Sequence, residues 1–166
     1  FTLATGIHAQ DNSDTTYWHK KGVLGLNLSQ VSLSNWSAGG DGSIAFDALF
    51  NYDLNYQRDR HLWQNRLELA YGLNNTDSNG TRKTNDKIYF NSMYGYKIAP
   101  QWYLTFAVNY QTQFAKGYDY NVSSDDYISR FMSPGYLSVG PGITWVPRSW
   151  FTATLSPATW RGTQVM

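Results

Sequence analysis

The sequence predicts an all-β protein: an antiparallel up-and-down transmembrane β-barrel with about seven strands present, and incomplete. Three observations support this prediction. Polar and apolar residues alternate with a period of two, short and long connections follow one another in turn, and Trp and Tyr gather near the short connections. Together they are typical of a chain that crosses a lipid bilayer with strands.

The composition excludes several classes of protein. The chain has 166 residues, a net charge of +1, 17% aromatic residues and no Cys. A charge so near zero gives no electrostatic basis for binding nucleic acid, because that binding depends on neutralising several phosphates. The lack of Cys rules out disulfides and thiol chemistry, and the apolar content rules out disorder. At this length we expect a single domain.

The alternation predicts seven strands. The second is the clearest, because apolar Phe46, Phe50 and Leu54 lie on one face while Asn51 and Asp53 lie on the other. In order, the predicted strands cover residues 18–32, 43–56, 62–73, 86–98, 102–114, 127–145 and 150–156. Several of them reach the roughly 9–11 residues that a tilted membrane-crossing strand needs.

The sixth predicted strand contains two prolines, Pro134 and Pro141. Each lacks the backbone N–H that a neighbouring strand would accept. We therefore expect a bulge or a break at both positions.

The predicted connections alternate in length. Residues 57–60, 99–101 and 146–149 form short ones, whereas residues 33–42, 74–85 and 115–126 form long polar ones. Outer-membrane barrels have this arrangement, with short periplasmic turns and longer extracellular loops. The N-terminus is therefore expected in the periplasm, with a first strand that runs outward.

Nine aromatic residues lie within a few positions of a short turn or of the start of the first strand. They are Trp18, Tyr52, Tyr56, Trp63, Tyr94, Tyr96, Trp102, Trp145 and Trp150. Trp and Tyr suit a membrane interface because their rings are apolar while the N–H or O–H stays near water. We expect them to form an interfacial girdle.

The polar side of each strand is expected to face the lumen. The candidate lumen residues are Asp47, Asn51, Asp53, Arg66, Glu68, Asn109 and Gln111. A three-residue loop at 99–101 would pair Asn91 with Asn109, and the same logic sets Asn51 near Arg66 with Asp53 diagonal to it. Both a filled, hydrogen-bonded interior and a selective channel are consistent with this pattern.

The first ten residues differ from the rest. Residues 1–10 resemble the last part of a secretory signal peptide, followed by the polar segment that starts at Asp11. An ordinary flexible terminus is the alternative. Residues 11–166 are then interpreted as the N-terminal part of a single outer-membrane β-barrel domain, located in the bacterial outer membrane.

No catalytic, cofactor-binding or metal-binding residue is predicted. None of the three histidines, His8, His19 and His61, has a Ser or a carboxylate at the spacing of a catalytic set. The acidic residues fall mostly in loops, where solvated charge is favoured over a calcium site. We therefore expect a protein that is not an enzyme and carries no cofactor.

Short segments along the chain carry a family resemblance. The most distinctive is Ser-Asn-Trp-Ser-Ala-Gly-Gly at residues 34–40, and weaker matches follow at 70–72, 82–86, 95–97, 112–114, 117–118 and 155–157. In this order they resemble a family of Bacteroidetes outer-membrane proteins known only as a domain of unknown function. The resemblance implies the location, the barrel fold and a chain cut at both ends, but no activity.

The distinctive segment is a candidate plug or partner contact. Ser34 and Asn35 can bond backbone groups, and Gly39 and Gly40 allow positive φ. Trp36 would then pack over the rim of the barrel or into its lumen. We expect a rigid extracellular loop.

We predict an integral outer-membrane β-barrel with a structural, porin-like or accessory role. Its expected partners are outer-membrane lipid and an outer-membrane protein, with no nucleic acid. One alternative is an exported soluble β-barrel or sandwich that binds an apolar ligand, with an apolar interior and a polar exterior. A second is an outer-membrane enzyme whose site lies in a missing C-terminal part.

Replacing Trp36 with Ala should raise the permeability of the barrel to small solutes or weaken capture of a protein partner, because the ring no longer fills the rim. Solute uptake and pull-down measure the two effects, with Trp150→Ala at the opposite end as the control. Unchanged folding, permeability and pull-down in the Trp36→Ala variant would remove the loop from consideration.

Overall fold

The structure, a computed structural model, describes residues 2–8, 17–32, 41–118, 127–148 and 150–165. For residues 2–8, 118 and 127–129 it describes the backbone alone. All regular structure in these ranges is β. None of the described residues forms a helix that is long and apolar enough to span a membrane. The loop candidates Ser34, Asn35, Trp36, Gly39 and Gly40 lie outside the described residues.

Eleven strands follow one another within the described ranges. They are β1 (Thr2–His8), β2 (Trp18–Val31), β3 (Ser43–Arg58), β4 (His61–Thr76), β5 (Gly80–Ala99), β6 (Trp102–Thr112), β7 (Gly117–Tyr118), β8 (Tyr127–Ser129), β9 (Gly135–Arg148), β10 (Phe151–Leu155) and β11 (Trp160–Gln164).

Nine of these strands form one antiparallel sheet. Its order is β1-β2-β3-β4-β5-β6-β9-β10, with β11 also paired to β9, while β7 and β8 pair with each other. The predicted all-β antiparallel fold is confirmed, because the sheet curls into a half-barrel that fits an incomplete β-barrel. The seven predicted strands correspond to β2–β6, β9 and β10. Residues 2–8, interpreted as a signal remnant, have the backbone of a strand paired with β2.

The connection between β4 and β5 is much shorter than expected. Residues 74–85 were predicted as a long loop, but β4 continues to Thr76 and β5 begins at Gly80. Gly80 has a φ of 67°, which closes the tight turn without strain on a side chain. The prediction was wrong because the polar residues Asn74 and Thr76 still pair with β3, so their backbone groups form hydrogen bonds between the strands.

The register of β3 on β4 differs from the prediction by two residues. Asp53 lies opposite Arg66, and Asn51 lies opposite Glu68. The turn contains two residues instead of four, because Asp59 adopts a φ of 51° and the strands pair up to their last residues. The predicted register of β5 on β6 is confirmed at Asn91, which lies opposite Asn109. This turn contains two residues instead of the three expected, because the pairing shifts by one residue between Lys97 and Ala99.

The two prolines act differently from one another. The break expected at Pro134 is confirmed, because β9 starts at Gly135 and residues 127–129 belong to the separate β7–β8 pair. At Pro141 β9 runs on without a break, which corrects the prediction there. The interruption falls in the neighbouring strand instead, between β10 and β11, where the Ser156 hydroxyl donates to the Pro141 carbonyl oxygen over 2.7 Å. Pro141 has no N–H to offer a partner at this point.

The polar face of the sheet is its concave face. A cavity of about 210 Å³ is lined by side chains from six consecutive strands of the sheet, among them Gln57, Gln64, Met93, Tyr103 and Thr152. In a flat sheet the first and last of these strands would lie about 24 Å apart, too far to share one small cavity. The sheet therefore curls toward this side, and the apolar side chains cover the convex face.

The turn between β5 and β6 holds a strained residue. Pro100 and Gln101 form the turn, and Gln101 has a φ of 68°, a conformation that favours Gly at the third position of a type II turn. Gln101→Gly should raise the free energy of unfolding by up to about 1 kcal/mol. Gln57→Gly, in the extended end of β3, should instead lower it by about 0.5–1 kcal/mol.

Urea unfolding of the protein refolded in detergent measures both Gln variants. Equal effects at the two positions would contradict the strain assigned to Gln101.

Candidate functional site

Four charged side chains meet in the middle of the concave face. Arg66 Nε lies 2.9 Å from Glu68 Oε1 and 3.8 Å from Asp53 Oδ1. Lys87 Nζ, from the next strand, lies 2.6 Å from Glu68 Oε2. Each oxygen of Glu68 therefore faces a cation, and the carboxylate lies between the guanidinium of Arg66 and the ammonium of Lys87.

The same network continues across β5 to β6. Lys87 Nζ lies 5.0 Å from the centroid of the Tyr89 ring, within the range of a cation–π contact. The Tyr89 hydroxyl donates to Asn109 Oδ1 over 3.1 Å, and Asn91 Nδ2 donates to the same oxygen. We refer to this set as the polar ladder: Asp53, Arg66, Glu68, Lys87, Tyr89, Asn91 and Asn109.

The polar ladder forms a wall of alternating charge that water can reach. The Glu68 side chain is 22% exposed and that of Arg66 is 52% exposed. Pairs of this kind contribute only about 0–1 kcal/mol to stability. Because its oxygens are engaged by cations, Glu68 is poorly suited to accept a proton from a substrate. The arrangement is better suited to contacting a hydrated solute than to proton transfer.

Most of the predicted lumen residues do share this face. Asn51 pairs with Glu68 and Gln111 pairs with Tyr89, so both lie in the same row as these two residues of the ladder. Asp47 lies apart from it, nearer the loops. Its carboxylate packs against Gly72, at a place that a Cβ would otherwise fill.

The sequence interpretation missed Lys87 and Tyr89 as site residues. The alternation along β5 could have identified them. Lys87 and Tyr89 precede Asn91 at intervals of two residues, so all three side chains lie on one face, and the pairing of Asn91 with Asn109 was predicted correctly. Lys87 was overlooked because it stands at the start of the predicted strand.

Buried threonines close the turn end of the concave face. The Thr144 hydroxyl lies 3.2 Å from that of Thr105 and 3.0 Å from that of Thr154, so three strands are joined by one chain of hydroxyls. Thr144 is fully buried. A buried hydroxyl costs free energy unless it is hydrogen-bonded, and here each has a partner.

A second cluster anchors the loop that follows β6. Asp86, 4% exposed, accepts from the backbone N–H of Phe114 over 2.6 Å and of Ala115 over 2.9 Å. Lys83 forms an ion pair with the same carboxylate, with its Nζ 2.5 Å from Asp86 Oδ2. Lys83 Nζ also donates to the Ala115 carbonyl oxygen over 3.0 Å. We call this group the Lys83–Asp86 clamp.

The Lys83–Asp86 clamp depends on an irregularity in the sheet. Residues three apart in a regular strand point to opposite faces. The pairing of β4 with β5 shifts by one residue between Gly72 and Leu73, so Lys83 pairs with Leu73 while Asp86 pairs with Tyr71. This bulge brings both charged side chains to the same side of β5.

No group of three or more His, Asp or Glu side chains in the described ranges is placed to hold a metal ion. His61, considered above for catalysis, instead hydrogen-bonds the Tyr94 hydroxyl over 2.6 Å at the turn end.

Comparison with known families identifies one match. The model of the family described as "Protein of unknown function (DUF3078)" matches residues 28–118, more than half of the chain. This range contains β3–β6 and so includes the polar ladder and the Lys83–Asp86 clamp. No curated protein and no solved structure matches the chain.

Asp86→Ala should lower the free energy of unfolding by about 3 kcal/mol, because the nearly buried Lys83 loses its ion pair and two backbone N–H groups lose their acceptor. It should also expose the peptide bond after Lys116 to trypsin, since the loop loses its anchor. Urea unfolding and limited proteolysis measure the two effects. Asp77→Ala at the β4–β5 turn is the control, and equal trypsin sensitivity in both variants would refute the clamp.

Proposed function

We propose that this chain, which belongs to the DUF3078 family, forms part of the wall of an outer-membrane β-barrel. In this proposal the convex face contacts lipid and the concave face lines a water-filled lumen. The role is structural or porin-like and non-enzymatic, and an outer-membrane protein is a further partner.

One observation carries the proposal: the large apolar side chains are exposed on the convex face. Leu24 is 38% exposed, Leu104 is 53% exposed and Phe106 is 49% exposed. Each Å² of apolar surface left in water costs about 25 cal/mol, and patches of this extent mark a contact surface. A lipid environment removes that cost for all of them at once.

The aromatic side chains support an interface at the turn end. Trp18, Tyr56, Trp63, Tyr94 and Phe106 pair in register across five strands, and we call this set the aromatic row. The rings of Trp18 and Tyr56 lie 4.9 Å apart. A row of rings at one level is what membrane interfaces favour.

Other members of the predicted girdle lie on either side of this level. Trp102 pairs with Trp145 at a ring distance of 5.8 Å, four residues closer to the turns than Phe106 on the same strand. Tyr52 pairs with Leu67, four residues from the aromatic row in the opposite direction.

The polar ladder supports a hydrated lumen. A barrel filled with side chains needs a packed interior, whereas the ladder leaves Arg66 and Lys87 partly exposed. Charged residues that face a lumen set the selectivity of a passage.

The soluble alternative requires the opposite arrangement of faces. A carrier of an apolar ligand would place side chains such as Leu24 and Phe106 inside and Arg66 outside. In this half-barrel the apolar set covers the convex side, which favours the membrane proposal.

The proposal also requires partners for the sheet edges. β1 and β10 are the ends of the sheet in the described residues. Within lipid an open edge would leave backbone N–H and C=O groups unpaired. In the membrane these edges must therefore be paired, by further strands or by another chain.

Leu24→Arg should block membrane insertion, whereas Val23→Arg should be tolerated. Leu24 lies on the convex face about 20 Å along β2 from the aromatic row, and a strand tilt of about 40° makes this about 15 Å in height, near the middle of an apolar band about 25 Å tall. Arg at the midplane costs about 2–4 kcal/mol. Val23 pairs with Asn51 on the concave face, in the row that also contains Glu68.

Insertion is measured by outer-membrane fractionation and by heat-modifiable gel mobility. If both Arg variants insert equally well, or if the wild-type protein stays in buffer without detergent, the membrane proposal fails.

A further inference from the structure

We propose that the convex face binds one anionic phospholipid of the surrounding bilayer, in a groove beside the aromatic row. The proposal rests on the membrane function proposed above and names a specific lipid partner for it.

The groove lies between β2 and β5 on the convex face. Its volume is about 320 Å³, and its walls are Trp18, Tyr52, Leu54, Trp63, Leu67 and Phe90, with Asn65 at its floor. These side chains come from four adjacent strands, so the groove runs across the sheet. Its size reaches the lower end of the range of small-molecule sites.

The polar group at the floor already has partners. Asn65 Nδ2 donates to the Leu54 carbonyl oxygen over 3.1 Å, and Asn65 Oδ1 accepts from the Ser92 hydroxyl over 2.7 Å. The indole N–H of Trp63 donates to the same hydroxyl over 2.9 Å. These polar atoms are therefore already hydrogen-bonded within the protein and need no partner from a ligand. An acyl chain fits a groove with this lining.

Cations flank the groove on its β2 side and at its turn end. Lys20 pairs with Leu54, so its exposed side chain is on the convex face, level with the middle of the groove. Arg58 lies further toward the turn, with its guanidinium carbon 4.6 Å from the centroid of the Tyr17 ring. Tyr17 in turn packs on Tyr56 of the aromatic row. The only acid that pairs with Arg58 in the described residues is Asp59, 3.5 Å away and 80% exposed.

An apolar groove with one cation on its β2 side and a second cation toward the turn matches an amphiphile with an anionic head. A phospholipid would lay an acyl chain between Leu67 and Phe90 and place its phosphate near Lys20 and Arg58. Long cationic side chains at this depth extend toward the headgroups, and each Lys or Arg near an anionic lipid surface strengthens binding about fivefold. A zwitterionic lipid would gain much less from the same cations.

The test uses the protein refolded into vesicles that contain equal amounts of phosphatidylglycerol and phosphatidylcholine. After extraction in mild detergent, native mass spectrometry counts the lipids retained on each protein molecule. We expect at least one phosphatidylglycerol to be retained in preference to phosphatidylcholine. The double variant Lys20→Gln, Arg58→Gln should lose this preference by about tenfold or more.

Neighbouring cations on the other face provide the matched control. Lys21 pairs with Asp53 and Lys97 pairs with Tyr103, so both lie on the concave face near the same end. The double variant Lys21→Gln, Lys97→Gln removes the same charge and should keep the wild-type preference. Equal loss in both double variants would mean that net charge alone attracts lipid, which overturns the proposed site.

Insertion is scored separately by heat-modifiable gel mobility. A protein that inserts normally but retains both lipids equally refutes the lipid site and leaves the membrane function intact. A protein that fails to insert in any vesicle even when its sheet edges are paired, by further strands or by another chain, refutes the membrane function itself. Displacement of the phosphatidylglycerol by inorganic phosphate would also overturn the site, because the acyl chain would then contribute nothing.

Discussion

The strict alternation of side chains along paired strands is the constraint on which this structure depends. Apart from one-residue shifts at Gly72 and at Lys97, the strands from β2 to β6, and then β9, keep a register that puts apolar residues on one face and polar residues on the other. A slip of one residue in any pair would exchange the two faces. The convex apolar surface and the polar ladder are therefore two results of one pattern, and neither could form without the other.

Much of the fold could be predicted because that pattern is local. The period of two located β2–β6, and the short loop at Pro100 placed Asn91 opposite Asn109. The register of β3 on β4 was missed because it depends on the positive φ of Asp59. Asp adopts positive φ more often than most residues, but its presence does not tell whether the turn contains two residues or four. The later strands were harder, since β7 and β8 are too short for a period and the interruption before β11 follows from Pro141 on another strand.

The candidate site shows the same division between local and distant information. The alternation of residues along each strand predicts which side chains share the concave face. Asp53, Arg66 and Glu68 were placed on it, and they form ion pairs in the structure. Which of these side chains touch each other depends on the register between strands. The contact of Lys87 with Glu68 could therefore not be predicted from the sequence. Asn65, a polar residue on the convex face, departs from the alternation and lines a groove together with apolar side chains from four strands. A departure from the pattern thus coincides with a distinct feature of this surface.

The one-residue shift at Gly72 also affects a distant part of the chain. Lys83 stands beside Asp86 because β4 and β5 pair with this offset. Asp86 in turn accepts from the backbone N–H groups of Phe114 and Ala115, 28 and 29 residues further along the chain. The position of the segment beyond β6 is therefore coupled to a single extra residue in the pairing of two earlier strands.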